Sequence, residues 1–202
     1  PFGHAKHLYS LARASTRSFD ASKEKLRRFV NKTIGRGVRV SCTALPLVAL
    51  DDSNASWQRV LGTPVDGVGF ERVNIMMYTS LVEGWSRGVL TRARSVQAFN
   101  EVAECAVGKY GDRASLSLGL VGTGAFSDEP VYRSPLELEE DVALALGRGV
   151  RDLSLFDLGG VVRRPNRSEW TRAFNTSIER VVPHAPFTRV RETLKMTARL
   201  IG

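Results

Sequence analysis

RASLSLGLVGTGAFSDEPVYRSPLELEEDVALALGRGVRDLSLFDLGG, residues 113–160, decides the fold. Residues 114–121 are an apolar run of strand length that leads into a glycine-rich, acidic loop over 122–133. A helix is then predicted to open at Ser134, with Pro135 at its first position and Glu137 closing a capping box. Leu136, Leu138, Val142, Ala145 and Leu146 recur at helical spacing, and Gly147 and Gly149 end the helix. A second apolar strand over 150–156 follows at once, so the stretch reads as βαβ, and two strands joined by such a crossover run parallel. Ligands of parallel sheets sit beyond the carboxyl ends of the strands, which places Asp128, Glu129 and Asp157 on the functional side.

The same grammar extends upstream. A helix from Asp20 is expected to bury Leu26, Phe29, Val30 and Ile34 and to end at Gly35 and Gly37, while residues 1–19 show no clear period. Strands follow at 38–45, closed by Pro46, and at 72–78, with a short helix near 57–61 between them and a long helix over about 93–110 after them. Downstream, Asn166 is expected to cap one more helix. GRGVR occurs twice, at residues 35–39 and 147–151, each time between a helix end and a strand start. Four βα repeats do not close an eight-stranded barrel. The expected fold is therefore α/β with parallel βα repeats, forming the C-terminal half, about four strands, of a (β/α)8 TIM barrel; the alternative is a small open doubly wound sheet. One domain over 1–202 is expected, with its core over 20–180 and peripheral termini at 1–19 and 181–202.

At 202 residues and 43% hydrophobic, the chain is long enough for one sizeable core. Its net charge of +8 raises an anionic partner, but the arginines are scattered, and the basic region 163–199 is interleaved with Glu169, Glu179 and Glu192 and lacks stacking aromatics. That argues against nucleic acid. Cys42 and Cys105 stand alone and His4, His7 and His184 are dispersed, so neither metal nor other cofactor is expected. No apolar run reaches the ~20 residues of a transmembrane segment. The chain does not begin with Met, which leaves room for a segment upstream.

Acids lie beyond every predicted strand: Asp51 and Asp52, Glu83, Asp128 and Glu129, and Asp157. With Tyr78, Trp85, Phe126, Tyr132 and Phe156 nearby, they describe a cleft of carboxylates and rings. Sugars suit such a cleft, since hydroxyls need acceptors, pyranose faces stack on rings, and paired carboxylates carry out glycosidic acid/base chemistry. GLVGTG, residues 119–124, lacks the Lys-Ser/Thr of a phosphate loop and is read as a barrel strand turning out into a long loop.

VNIMMYTS, residues 73–80, resembles the sixth barrel strand of family 18 glycoside hydrolases, the chitinases and endo-β-N-acetylglucosaminidases, with their Met-x-Tyr-Asp motif. Met76, Met77 and Tyr78 match, and Thr79 stands in the place of the Asp. VRVSCTALP resembles the preceding strand, LSLGLVGTG the seventh, and LSLFDLGG the eighth, where Phe156 replaces the family's Trp. The resemblance spans residues 37–162 and implies that Tyr78 contacts a substrate N-acetyl group. The family's acid-rich signature at the end of the fourth strand has no counterpart, and in a half barrel that strand would precede Pro1. The expectation is a chitinase-like, carbohydrate-active barrel portion, incomplete as a catalyst alone. Its expected substrate-binding residues are Tyr78, Trp85, Asp51, Asp128, Glu129 and Phe156, with Asp157 and Glu83 as the catalytic candidates. The alternatives are a noncatalytic carbohydrate-binding relative and a basic binder of nucleic acid or an anionic surface. Uncovered sheet edges would favour self-association.

Overall fold

The computed structural model describes residues 2–51, 55–86, 89–122 and 129–176, and only the backbone over 2–17. In chain order the elements are α1 (Phe2–Ile34), β1 (Ser41–Ala44), α2 (Pro46–Ala49), α3 (Ser56–Leu61), β2 (Arg72–Met76), α4 (Thr79–Trp85), α5 (Arg92–Tyr110), β3 (Ala114–Gly119), α6 (Pro135–Gly147), β4 (Asp152–Phe156), α7 (Leu158–Arg163) and α8 (Arg167–Arg172). The architecture is α/β: a four-stranded parallel sheet in the order β1-β2-β3-β4. β3 and β4 pair in parallel from Ser115 opposite Asp152 to Gly119 opposite Phe156. By contacts the described residues fall into two compact units, 2–74 and 75–176.

In the first unit, α1 is one 33-residue helix rather than a helix beginning at Asp20. Residues 5–19 are rich in Ala, Leu, Lys and Arg, free of Gly and Pro, and so favour helix even without a clear apolar period. The inward stripe is Phe19, Lys23, Leu26, Val30 and Ile34, with Phe19 and Val30 fully buried. Phe29, expected in the core, sits one position off that stripe and is 61% exposed. Arg59 of α3 lies over the Phe19 ring, 5.0 Å from its centroid, and pairs with Asp20 at 3.0 Å. α3 is tied at its start by Asp51, whose carboxylate accepts the N–H groups of Trp57 and Gln58, each at 3.0 Å. The buried Gln58 amide then donates to Asp66 and accepts from the Val65 and Asp66 N–H groups, which shapes the turn into β2.

The second unit is built on β3. Leu116 and Leu118 are completely buried, as are Phe99, Ala103 and Ala106 of α5 and Leu138, Val142 and Ala145 of α6. α6 starts at Pro135 as expected, but the capping box does not close: the Ser134 side chain makes no cap bond. Glu137 instead accepts from the backbone N–H and the Nε of Arg133, at 2.8 and 2.6 Å, because the guanidinium draws the carboxylate one residue upstream. Leu136, expected on the buried face, is exposed for the same reason of phase: the face centres on Leu138, Val142 and Ala145.

The two GRGVR copies build the same junction. Gly37 and Gly149 have φ of 81° and 88°, and their N–H groups reach Ile34 and Leu146 at 2.8 and 3.0 Å. The next N–H in each copy reaches five residues back, Val38 to Thr33 and Val150 to Ala145, as in a Schellman helix ending that needs a left-handed residue.

Candidate functional site

Tyr78 follows β2, Phe156 ends β4, and β3 runs between those two strands. Two strands separated by a third lie ~10 Å apart, so their side chains meet only if the intervening residue leaves room. That residue is Gly119. A Cβ there would stand 2.9 Å from the Phe156 carbonyl oxygen and 3.2 Å from the Tyr78 ring. Without one, the Tyr78 and Phe156 rings stack across β3 with centroids 5.8 Å apart and planes at 21°. Phe156 keeps 39% of its surface exposed. The Tyr78 hydroxyl lies 3.3 Å from Ser117 Oγ, which shares its face of β3 with Gly119. Burial raises the Tyr78 phenol above its ordinary pKa, the Ser117 bond opposes this, and the nearby Glu129 carboxylate adds to the rise. The phenol therefore stays neutral near pH 7, able to donate or accept a hydrogen bond.

Behind this platform, Ser80 secures the chain that leaves β3. Its Oγ accepts from the Leu120 N–H at 2.8 Å and donates to the Pro130 carbonyl at 2.9 Å. Further in, Thr79, Arg92, Tyr132 and Asp141 form a buried cluster. Asp141 accepts from the Thr79 hydroxyl, from the Tyr132 hydroxyl at 2.7 Å and from the Arg92 guanidinium at 2.8 Å. Burial raises the Asp141 pKa above its ordinary value, and Arg92 and the two hydroxyls oppose the rise without cancelling it.

The expected site residues divide by the tasks the fold gives them. Tyr78 and Phe156 come together, and Glu129 lies near Tyr78. Trp85, at the end of α4, is 58% exposed. Asp157 is the N-cap of α7, its carboxylate accepting the Gly160 N–H. Glu83 pairs with Arg133 at 3.1 Å, and Arg133 also pairs with Glu137. Asp51 belongs to the first unit, where it holds the start of α3. Tyr132, expected to line the cleft, is instead wholly buried with its hydroxyl on Asp141, a correction that follows from the need to satisfy that carboxylate. Asp52, Phe126 and Asp128 lie outside the described residues.

Ser117 and Gly119 were not singled out from sequence as site residues. Their signal was the alternation of β3, which puts the two on one face. A groove of about 490 Å³ between α6 and the chain after α8, lined by Leu136, Glu139, Glu169 and Arg172, contains none of the expected residues. No helix among the described residues is long and apolar enough to cross a membrane. No family model, curated protein or solved structure matches the chain.

Proposed function

We propose that the chain is a carbohydrate-active, glycoside hydrolase-like portion of a (β/α)8 barrel whose strand-end rim contributes an aromatic-floored glycan cleft. The observation that carries this reading is the Tyr78–Phe156 stack across Gly119, a partly exposed ring surface with a neutral phenol at its edge. Such a surface suits a pyranose face, and the phenol suits a hydroxyl or amide group on it. The half-barrel geometry is supported by the strand order. A doubly wound sheet reverses direction at a switch point, whereas β1-β2-β3-β4 advances one way, as in a barrel where right-handed crossovers place every helix on one face.

Catalysis is proposed to need groups beyond this chain. Asp157 and Glu83, the two expected catalytic acids, are engaged in a helix start and an ion pair rather than poised to protonate a glycosidic oxygen. A noncatalytic carbohydrate-binding relative is the second reading, and Thr79 favours it: where the resembled family carries an Asp, this hydroxyl is turned into the core onto Asp141. Calorimetric titration with N-acetylglucosamine oligomers tests the shared claim. Binding should be lost in Tyr78→Ala and Phe156→Ala while their unfolding remains cooperative; retention of full affinity in both would sink the reading. Hydrolysis by the chain alone would reject the claim that it is incomplete.

A further inference from the structure

α1 carries eight of the chain's 29 Lys and Arg residues and two of its 21 Asp and Glu residues, so most of the net charge of +8 resides on one helix. Lys25, Arg28, Phe29 and Lys32 are spaced three, four and seven apart, which places them within an arc of about 100° on a straight helix. All four are exposed, and the exposed Arg36 follows just past the helix end. Among the described residues Lys25, Lys32 and Arg36 make no ion pair. Among the described residues, Glu24 pairs with Arg27 and Arg28. The bonds from Arg27 and Arg28 hold its pKa down at about 2, so it stays ionised and offsets one of those two arginines. At one edge of this arc, beside the cations, stands Phe29, with most of its ring in water.

A solvated basic face needs no exposed aromatic ring, and a core residue would not be turned outward. We propose that this face of α1 docks the protein on an anionic lipid surface, with Lys25, Arg28, Lys32 and Arg36 over the headgroups and Phe29 entering the interface beside them. A plane touches every residue of a straight stripe at once, and a membrane interface offers both negative charge and apolar depth. A nucleic acid offers the charge, but its backbone offers nothing to a single ring, and the face has no second aromatic to stack a neighbouring base.

The test is flotation of the full chain with phosphatidylcholine vesicles, with and without about 30 mol % phosphatidylserine, each lysine contributing about five-fold to binding. Association is expected with the anionic vesicles only. It should fall about 25-fold in Lys25→Gln/Lys32→Gln, at five-fold per charge, and several-fold in Phe29→Ser. Phe29→Trp should show added blue-shifted emission on anionic vesicles. All three positions are exposed, so unchanged far-ultraviolet dichroism is expected and separates docking from folding. Equal binding to neutral vesicles, or indifference to both the charge and the Phe29→Ser variants, would overturn the proposal. So would displacement from vesicles by an oligonucleotide of matched charge whose own binding is insensitive to Phe29→Ser, an outcome that assigns the face to nucleic acid.

Discussion

Gly119 has no side chain, and that absence lets the Tyr78 ring just past β2 stack on the Phe156 ring at the end of β4. A methyl group there meets a backbone oxygen that cannot move aside, so Gly119→Ala should cost about 1–3 kcal/mol in urea unfolding, as overpacking does. It should also abolish any glycan affinity that Tyr78→Phe retains. The buried cluster sets a second test. Asp141→Asn leaves the Arg92 guanidinium with only the longer bridge to the exposed Glu140, removes its buried charge partner, and should destabilise by about 3–5 kcal/mol. Tyr132 makes the cluster sensitive to alkali. Burial first, then the Asp141 charge and hydrogen bond, raise its phenol well above the ordinary value of 10.0. The unfolded chain releases that proton near pH 10 while the folded chain keeps it, so this contribution is intact below pH 10 and is lost as the pH climbs further. The thermal midpoint should therefore fall more steeply with alkaline pH in the parent than in Tyr132→Phe.

α7 and the chain leaving β3 approach so closely that a Cβ on Gly160 would overlap the backbone of Gly122. Gly160→Ala is expected to destabilise by about 3 kcal/mol, whereas Gly108→Ala, inside α5 with nothing near its absent Cβ, should stabilise by about 0.5–1 kcal/mol. Denaturant midpoints of the pair check both signs. Elements of this kind were legible where local chemistry sets them: the GRGVR junctions, Pro135 at the start of α6, and the apolar strands. Phases set by tertiary neighbours were not. Phe29 reads as core by spacing, but the helix turns to bury Phe19 and Val30. Tyr78 and Phe156 were visible as strand-end residues because the strands could be counted. The buried role of Tyr132 was hidden, since its partner Asp141 lies in what reads as an ordinary helix.

For the molecule as a whole, charge and surface make separable predictions. Glycan affinity through uncharged rings should change less than about two-fold between 50 and 200 mM salt, whereas a binder with six to ten phosphate contacts loses about a thousand-fold or more. The exposed edge beyond Phe156, with Leu158 and Val162 of α7 both mostly in water, should make the isolated chain associate as its concentration rises. Sedimentation of Leu158→Glu/Val162→Glu should then show monomer at concentrations where the parent does not. The strand order carries one more consequence, which concerns time rather than space. Each strand of β1-β2-β3-β4 lies beside the one synthesised just before it, so no strand waits for a distant partner to leave the ribosome. The sheet can grow in step with translation, one βα repeat at a time. Nascent chains halted after α6 should already protect the β3 amides bonded toward β2 from hydrogen exchange, before β4 exists; a β3 that gains protection only with the complete chain would show that the sheet forms all at once.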